Sequence, residues 1–419
     1  MRVSKTIQHG RTLVLMAALF FSFLVGLMAQ QLHAQDVRPS AAGMSRKAEL
    51  ATGAAVDASG NFWIVSKETA EGEQYVVLQS STDGGRNWSA PRRIQNAPEA
   101  ISADGENRPK LAFGPQGQMY VSYTRPLAKP YTGEIRFMRS LDGGKTFSPP
   151  RTVHANRDLI THRFESMIVD KSGRIYIAWI DKRDIEAAVA RKEKYAGAAV
   201  YYAVSDDGGG SFKGDYKLAD HSCECCRIAM ALTPDGKAVA LWRHVFAPNA
   251  RDHAIAELAP DGKGTPLARA TFDDWRIDAC PHHGPALAYA DDGTRHQVWF
   301  NMKGEEGGVF HASVSPDGVM GKVQRLGSAQ AAHADVAVFG KQVVLAWRQF
   351  DGKGTAILGK HSGDGGLTWR ELELARTAQG SDQPRLLQTP TGIVLAWRTQ
   401  QEGMRIVPVM PSVAQIAEK

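Results

Sequence analysis

Seven times along the chain a short apolar run is followed by a turn containing glycine and then by a second apolar run that usually closes on an aromatic residue. The turn glycines are Gly60, Gly117, Gly173, Gly236, Gly293, Gly340 and Gly392. Their spacings of 57, 56, 63, 57, 47 and 52 residues suit one four-stranded blade per repeat. The pattern therefore predicts an all-β protein, a seven-bladed β-propeller with antiparallel blades. A six-bladed body with the first repeat, residues 51–66, outside it is the alternative. The second runs end in Tyr123, Trp179, Trp242, Trp299, Trp347 and Trp397, a column expected to pack between blades. Three strands fit between Asp382 and Met410, so the N-terminal stretch is expected to complete the last blade.

A second phrase follows the first hairpin in four repeats. It reads STDGGRNW from Ser81, SLDGGKTF from Ser140, SDDGGGSF from Ser205 and SGDGGLTW from Ser362. These resemble the Asp box, S-x-D-x-G-x-T-W, of sialidases and other propellers of the BNR type. An Asp carboxylate accepts backbone N–H bonds across such a turn, glycines supply positive φ, and the aromatic residue fills the gap between strands. The resemblance implies architecture and not activity, because unrelated functions share the fold. Degenerate copies begin at Ala259 and Ser315.

Composition narrows the class. Of 419 residues 43% are hydrophobic and 22% charged, enough for a large core and too apolar for wholesale disorder. Fifty basic residues stand against 44 acidic ones with no long block of like charge, which argues against nucleic acid as a partner. The first 34 residues have the parts of an export signal: basic Arg2, Lys5 and Arg11, an apolar run from Thr12 to Ala29, and Leu32-His33-Ala34 as a cleavage site. Retention of this run as a membrane anchor is the alternative. The expected organisation is a signal peptide over 1–34 and one propeller domain over 35–419, monomeric and periplasmic or secreted.

The candidate chemistry lies in two adjacent repeats. Cys223, Cys225 and Cys226 lie 13, 11 and 10 residues before Gly236, and Cys280, His282 and His283 lie at the same offsets before Gly293. All four cysteines of the protein are in these phrases, CECCRIAM and CPHHGPAL. Six soft or borderline donors in a doubled C-x-[CH]-[CH] pattern point to a metal, with copper favoured over zinc. Thiolates select Cu(I), imidazoles accept Cu(II), and the runs depart from the usual zinc spacings. Crowded thiols such as Cys225 and Cys226 also offer electrons, so a copper oxidoreductase is a candidate activity. The bland reading is a Cys223–Cys280 disulfide between blades, with Cys225 and Cys226 bridged or reduced.

Other residues share the rim that precedes each inner strand. His162 and Arg163, Glu106 and Asn107, and His333 belong to it, and loops on the same face add His244, His253 and Met302. Of these, His162, His333 and Met302 are kept as further candidate ligands. Residues 184–195, with the string IEAAVARKEK, are expected to insert a helix beside this mouth.

The resemblance to sialidases also implies three arginines, a tyrosine nucleophile paired with glutamate and an aspartic acid. Glu106-Asn107-Arg108-Pro109 is similar to the first arginine motif of that family, and Arg163 and Arg385 are possible companions. The chain has no tyrosine after Tyr289, where the nucleophile is expected. Arg243, Arg348 and Arg398 follow the aromatic column and are read as framework. The expectation is thus copper handling, with a membrane transporter or another periplasmic protein as partner. A sialidase-like glycoside hydrolase and a non-catalytic binding propeller are the alternatives.

Overall fold

The computed structural model describes residues 50–279 and 281–409. The segment expected to be an export signal, the N-terminal strand expected to complete the last blade, and Cys280 lie outside the described residues. No helix among the described residues is long and apolar enough to cross a membrane.

The seven repeats fold as seven antiparallel sheets in which strands follow one another in chain order. The inner strands are Gly53–Val56, Lys110–Phe113, His162–Val169, Ala229–Leu232, Ala286–Tyr289, Ala331–Phe339 and Arg385–Thr389. Each packs on the next, and the first packs on the last, which closes the ring as a seven-bladed propeller. Repeat one is a blade of that ring, so the six-bladed alternative falls. Six blades have four strands, and the seventh has three among the described residues.

A blade held between two neighbours buries both of its faces, so its central strands read as continuous apolar runs rather than alternating ones. The second strands of blades 3 and 4, Ile175–Asp181 and Ala238–Arg243, are buried at every position. The aromatic column lies in these interfaces, with Tyr123, Trp179, Trp242 and Trp397 all at 0–1% exposure. Truncating any of those tryptophans to alanine removes a packing unit worth about 3–5 kcal/mol.

The four DGG turns are built alike. In the first, Ser81 Oγ donates to Asp83 Oδ1 (2.8 Å) and accepts from the Gly85 N–H (2.9 Å), while the Asn87 N–H donates to Asp83 (2.9 Å). The same three bonds recur around Asp142, Asp207 and Asp364. The second glycine is required twice over. Gly209 has φ 80°, and a Cβ there would stand 2.4 Å from the Phe137 ring of the preceding blade. Each turn thus satisfies its own polar groups and fits against a neighbour, on the face opposite the Cys/His loops.

At the axis, charge replaces apolar contact. The buried Glu106 of blade 2 accepts N–H bonds from Arg227 (3.1 Å) and Gly284 (2.9 Å) at Oε2. Its Oε1 faces the Arg227 guanidinium at 3.7 Å and His333 Nδ1 at 3.4 Å. Arg108 joins Asp382 (2.7 Å), Gln383 (2.9 Å) and the Thr52 carbonyl (3.1 Å), linking blade 2 to blades 7 and 1. Burial alone would raise the Glu106 carboxyl, but Arg227 and His333 outweigh it and hold it far below the usual range. Removing one member of a buried pair strands the other, so Glu106→Gln is expected to destabilise the protein by about 3–5 kcal/mol in urea unfolding. Because the folded pKa is depressed, this stabilisation is intact above the ordinary glutamate range and is lost as pH falls below it. A cost under about 1 kcal/mol would remove the axial role.

Candidate functional site

The three described cysteines lie in the connection from the outer strand of blade 3, which ends at Ser222, to the inner strand of blade 4, which starts at Ala229. The Cys223 N–H donates to the Arg243 carbonyl (2.9 Å), which pins the start of the loop against blade 4. The chain then turns back so that Cys223, Cys225 and Cys226 all point inward, at 1–5% exposure. They join an apolar cluster with Phe164, Ile228 and Trp242 at the seam between blades 3 and 4.

Their sulfurs converge within 4.8 Å of one another. Cys223 Sγ lies 3.9 Å from Cys225 Sγ and 3.7 Å from Cys226 Sγ. A metal–thiolate bond of about 2.3 Å places two sulfurs of a tetrahedral or trigonal complex about 3.8–4.0 Å apart. The spacing found matches that of ligands around one ion and equally that of thiols in weak hydrogen-bonded contact. Hydrogen bonding from Cys223 and burial push the Cys226 thiol up, although its contact with Cys225 and the charge of Arg243 oppose this.

The histidines sort differently from their sequence offsets. His283 is sandwiched, with its ring 3.9 Å from that of Phe300 and 4.2 Å from that of His333. Burial, then the adjacent His333, lowers its imidazole to about 3, so it is neutral at pH 7, and its Nδ1 is buried with no hydrogen-bond partner. His333 in turn touches Glu106, so these rings run from the axis toward the rim. His282 is exposed and approaches Phe164 with a ring separation of 6.4 Å. His253 is fully buried with an unpartnered Nε2, and burial pushes it well down.

Two further candidates are corrected. His162 has the same offset as His282, but in blade 3 the inner strand already begins there and pairs His162 with Asp181. The ring is thereby turned into the blade, where Nδ1 lies 3.0 Å from the Gly133 carbonyl and the face stacks on His154 at 3.9 Å. Met302 is half exposed in the loop between the second and third strands of blade 5, with no described contact to the thiols. The inserted helix spans Arg183–Ala190, shorter than expected, and Lys182 just before it pairs with Glu224 of the cysteine loop.

Sequence reasoning missed Arg243, taken as framework. Its side chain is 1% exposed and binds the His283 carbonyl, while its backbone binds Cys223, so it joins both Cys/His loops. Its repetition with Arg348 and Arg398 concealed this, since the three differ only in what surrounds them.

A 170 Å³ cavity lies among the inner strands, and its lining includes Glu106, Arg108, Lys110, Arg227, Asp335 and Arg385. Most of these charges face a partner: Arg108 meets Asp382 at 2.7 Å, Lys110 meets Glu165 at 3.2 Å and Arg385 meets Asp335 at 3.5 Å.

No protein-family model matches the chain, and no curated protein matches its sequence. Among solved structures it is similar to an ulvan lyase of polysaccharide lyase family PL25 bound to -[GlcA(1-4)Rha3S]-, with 11% identity over 87% of this chain and 94% of that one and a TM-score of 0.51. An alpha-L-arabinanase from Penicillium chrysogenum gives 13% identity, 71% and 88% coverage and a TM-score of 0.46. NanB sialidase from Streptococcus pneumoniae gives 9%, 74% and 67%, and 0.44. These are likenesses of fold.

The placement of His162 has a measurable consequence. His162→Ala is expected to cost about 1–3 kcal/mol of stability by removing a buried, bonded imidazole, while leaving metal affinity unchanged. Chemical unfolding and a metal titration of the same variant check both parts.

Proposed function

We propose that this protein binds copper(I) at Cys223, Cys225 and Cys226 and serves copper handling outside the cytoplasm. The observation that carries the reading is the sulfur spacing of 3.7 and 3.9 Å in a buried, apolar seam. Soft thiolates select Cu(I) over harder ions, and a dry pocket protects that oxidation state from exchange with solvent. Among the described residues the group of converging ligand atoms consists of the three sulfurs, and neither His283 nor His253 joins it. Cys280 belongs to the same proposal through its sequence offset alone.

Titration of reduced protein with Cu(I) against a competing chelator is expected to show about one ion bound per chain. Cys225→Ser combined with Cys226→Ser should remove most of that affinity, and equal binding by the double variant would sink the reading. Addition of Cu(II) to the reduced protein tests the oxidoreductase arm. Two Cu(II) ions accept one electron each from two thiols, giving two Cu(I), one disulfide and two protons. Cu(II) bound with every thiol retained rules out that step and leaves the binding site standing.

A second reading, a glycoside hydrolase or polysaccharide lyase, draws on the fold shared with the ulvan lyase and on the charged cavity among the inner strands. Arg108, Lys110, Arg227 and Arg385 line a space able to meet an acidic sugar. Against it, the guanidiniums of Arg108 and Arg227 are already matched by Asp382 and Glu106. Turnover of a sialoside or a polyuronate that is lost in Arg385→Ala would establish this reading instead.

A further inference from the structure

The loop that carries the thiols is fixed at both ends by bonds to other blades. At its start the Cys223 N–H donates to the Arg243 carbonyl of blade 4 (2.9 Å), and at its close the Arg227 N–H donates to Glu106 Oε2 of blade 2 (3.1 Å). Between those two bonds stand four residues, Cys-Glu-Cys-Cys. Glu224 stays partly exposed and pairs with Lys182, while all three cysteines are buried with their sulfurs within 4.8 Å of one another. A ligand that engages every sulfur at once therefore does not have to order the chain first, and ordering is a main cost of binding.

The surroundings decide which ligand that is. Phe164, Ile180, Ile228 and Trp242 belong to the same buried cluster as the cysteines, and the carboxylate of the loop is engaged outside it with Lys182. In an apolar setting a complex that keeps a net charge is costly. Cu(I) on two of the thiolates leaves one negative charge and an unused third thiol, and on all three it leaves two. A divalent ion on three thiolates again leaves one. A soft trivalent centre on three thiolates leaves none.

Arsenous acid supplies such a centre. Three S–H bonds and three As–O bonds break, three As–S bonds and three O–H bonds form, and three molecules of water leave. Arsenic stays trivalent, no electron moves and no net proton is released. The acid is uncharged at neutral pH, so it enters an apolar seam at lower cost than a hydrated cation does.

We propose that Cys223, Cys225 and Cys226 form a trithiol site for trivalent arsenic, taken up as neutral arsenous acid. This rests on the thiol set of the copper reading and not on its ion.

The test uses the reduced protein, with arsenite as the probe and Cu(I) titrated in parallel. Intact-mass spectrometry of the wild type is expected to show one adduct whose mass is that of arsenic less three hydrogens, because all three hydroxyls have left. An adduct that retains a hydroxyl has used two sulfurs and overturns the proposal. Cys223→Ser, Cys225→Ser and Cys226→Ser are each expected to lower arsenite affinity about tenfold or more. Phenylarsine oxide, which needs two sulfurs, should lose less in the same variants, since each keeps two. Arsenite affinity equal in wild type and the serine variants overturns the proposal, as do equal losses of both arsenicals. Should a serine variant not fold, the wild-type adduct mass decides alone. Cu(I) bound without arsenite overturns the arsenic site and leaves the copper reading standing. Arsenite bound without Cu(I) does the reverse, and binding of neither brings down both.

Discussion

The carboxylate of Glu106 takes donors from three other blades: Arg227 of blade 4, Gly284 before blade 5 and His333 of blade 6. Inner strands of a propeller diverge from a common axis, so the axis is where close packing by apolar side chains is hardest to achieve and where a small group with many acceptor sites is most useful. Arg108 does the complementary task for blades 1 and 7, and the Lys110–Glu165 pair brings in blade 3. A ring closed this way is held by directional bonds whose partners are all specified. Moving one blade outward would break several of them at once.

That arrangement shapes the chemistry. With Glu106, Asp382, Arg108 and Arg227 engaged with one another, the axis has little uncompensated charge left for a ligand. The rim is different. The same Glu106 touches His333, whose ring stacks on His283, whose carbonyl binds Arg243, whose own carbonyl binds Cys223. His333 on this path and His282 beside it have φ 51° and 56°, a conformation that costs a non-glycine residue about 1–3 kcal/mol.

Much of the fold was legible because its signals are local. A glycine turn at blade spacing and a Ser–Asp–Gly–Gly turn each satisfy themselves within about eight residues, so a linear pattern is enough to find them. The convergence of Cys223, Cys225 and Cys226 was legible for the same reason. His162 was misplaced because offset counts ignore strand length: an inner strand of eight residues in blade 3, against four in blade 4, turns an equivalent position from the rim into the blade. Arg243 was invisible because its distinction from Arg348 and Arg398 lies in distant partners. Burial lowers Arg348 and Arg398 while Asp382 opposes it, whereas Arg243 bonds to carbonyls and has no carboxylate at salt-bridge distance among the described residues.

The two faces of the ring thus differ in how they treat polar groups. On one, each Ser–Asp turn closes its bonds internally and leaves nothing for chemistry. On the other, the connection between blades 3 and 4 buries three sulfurs in an apolar seam, and Arg243 Nε, His283 Nδ1 and His253 Nε2 are buried without a hydrogen-bond partner. Burial raises the cost of ionising a thiol and equally the cost of an unmatched cation, so neither is stable alone. On the proposed metal reading, exchange of thiol protons for a soft ion is the step that would relieve the cost of ionising these buried thiols.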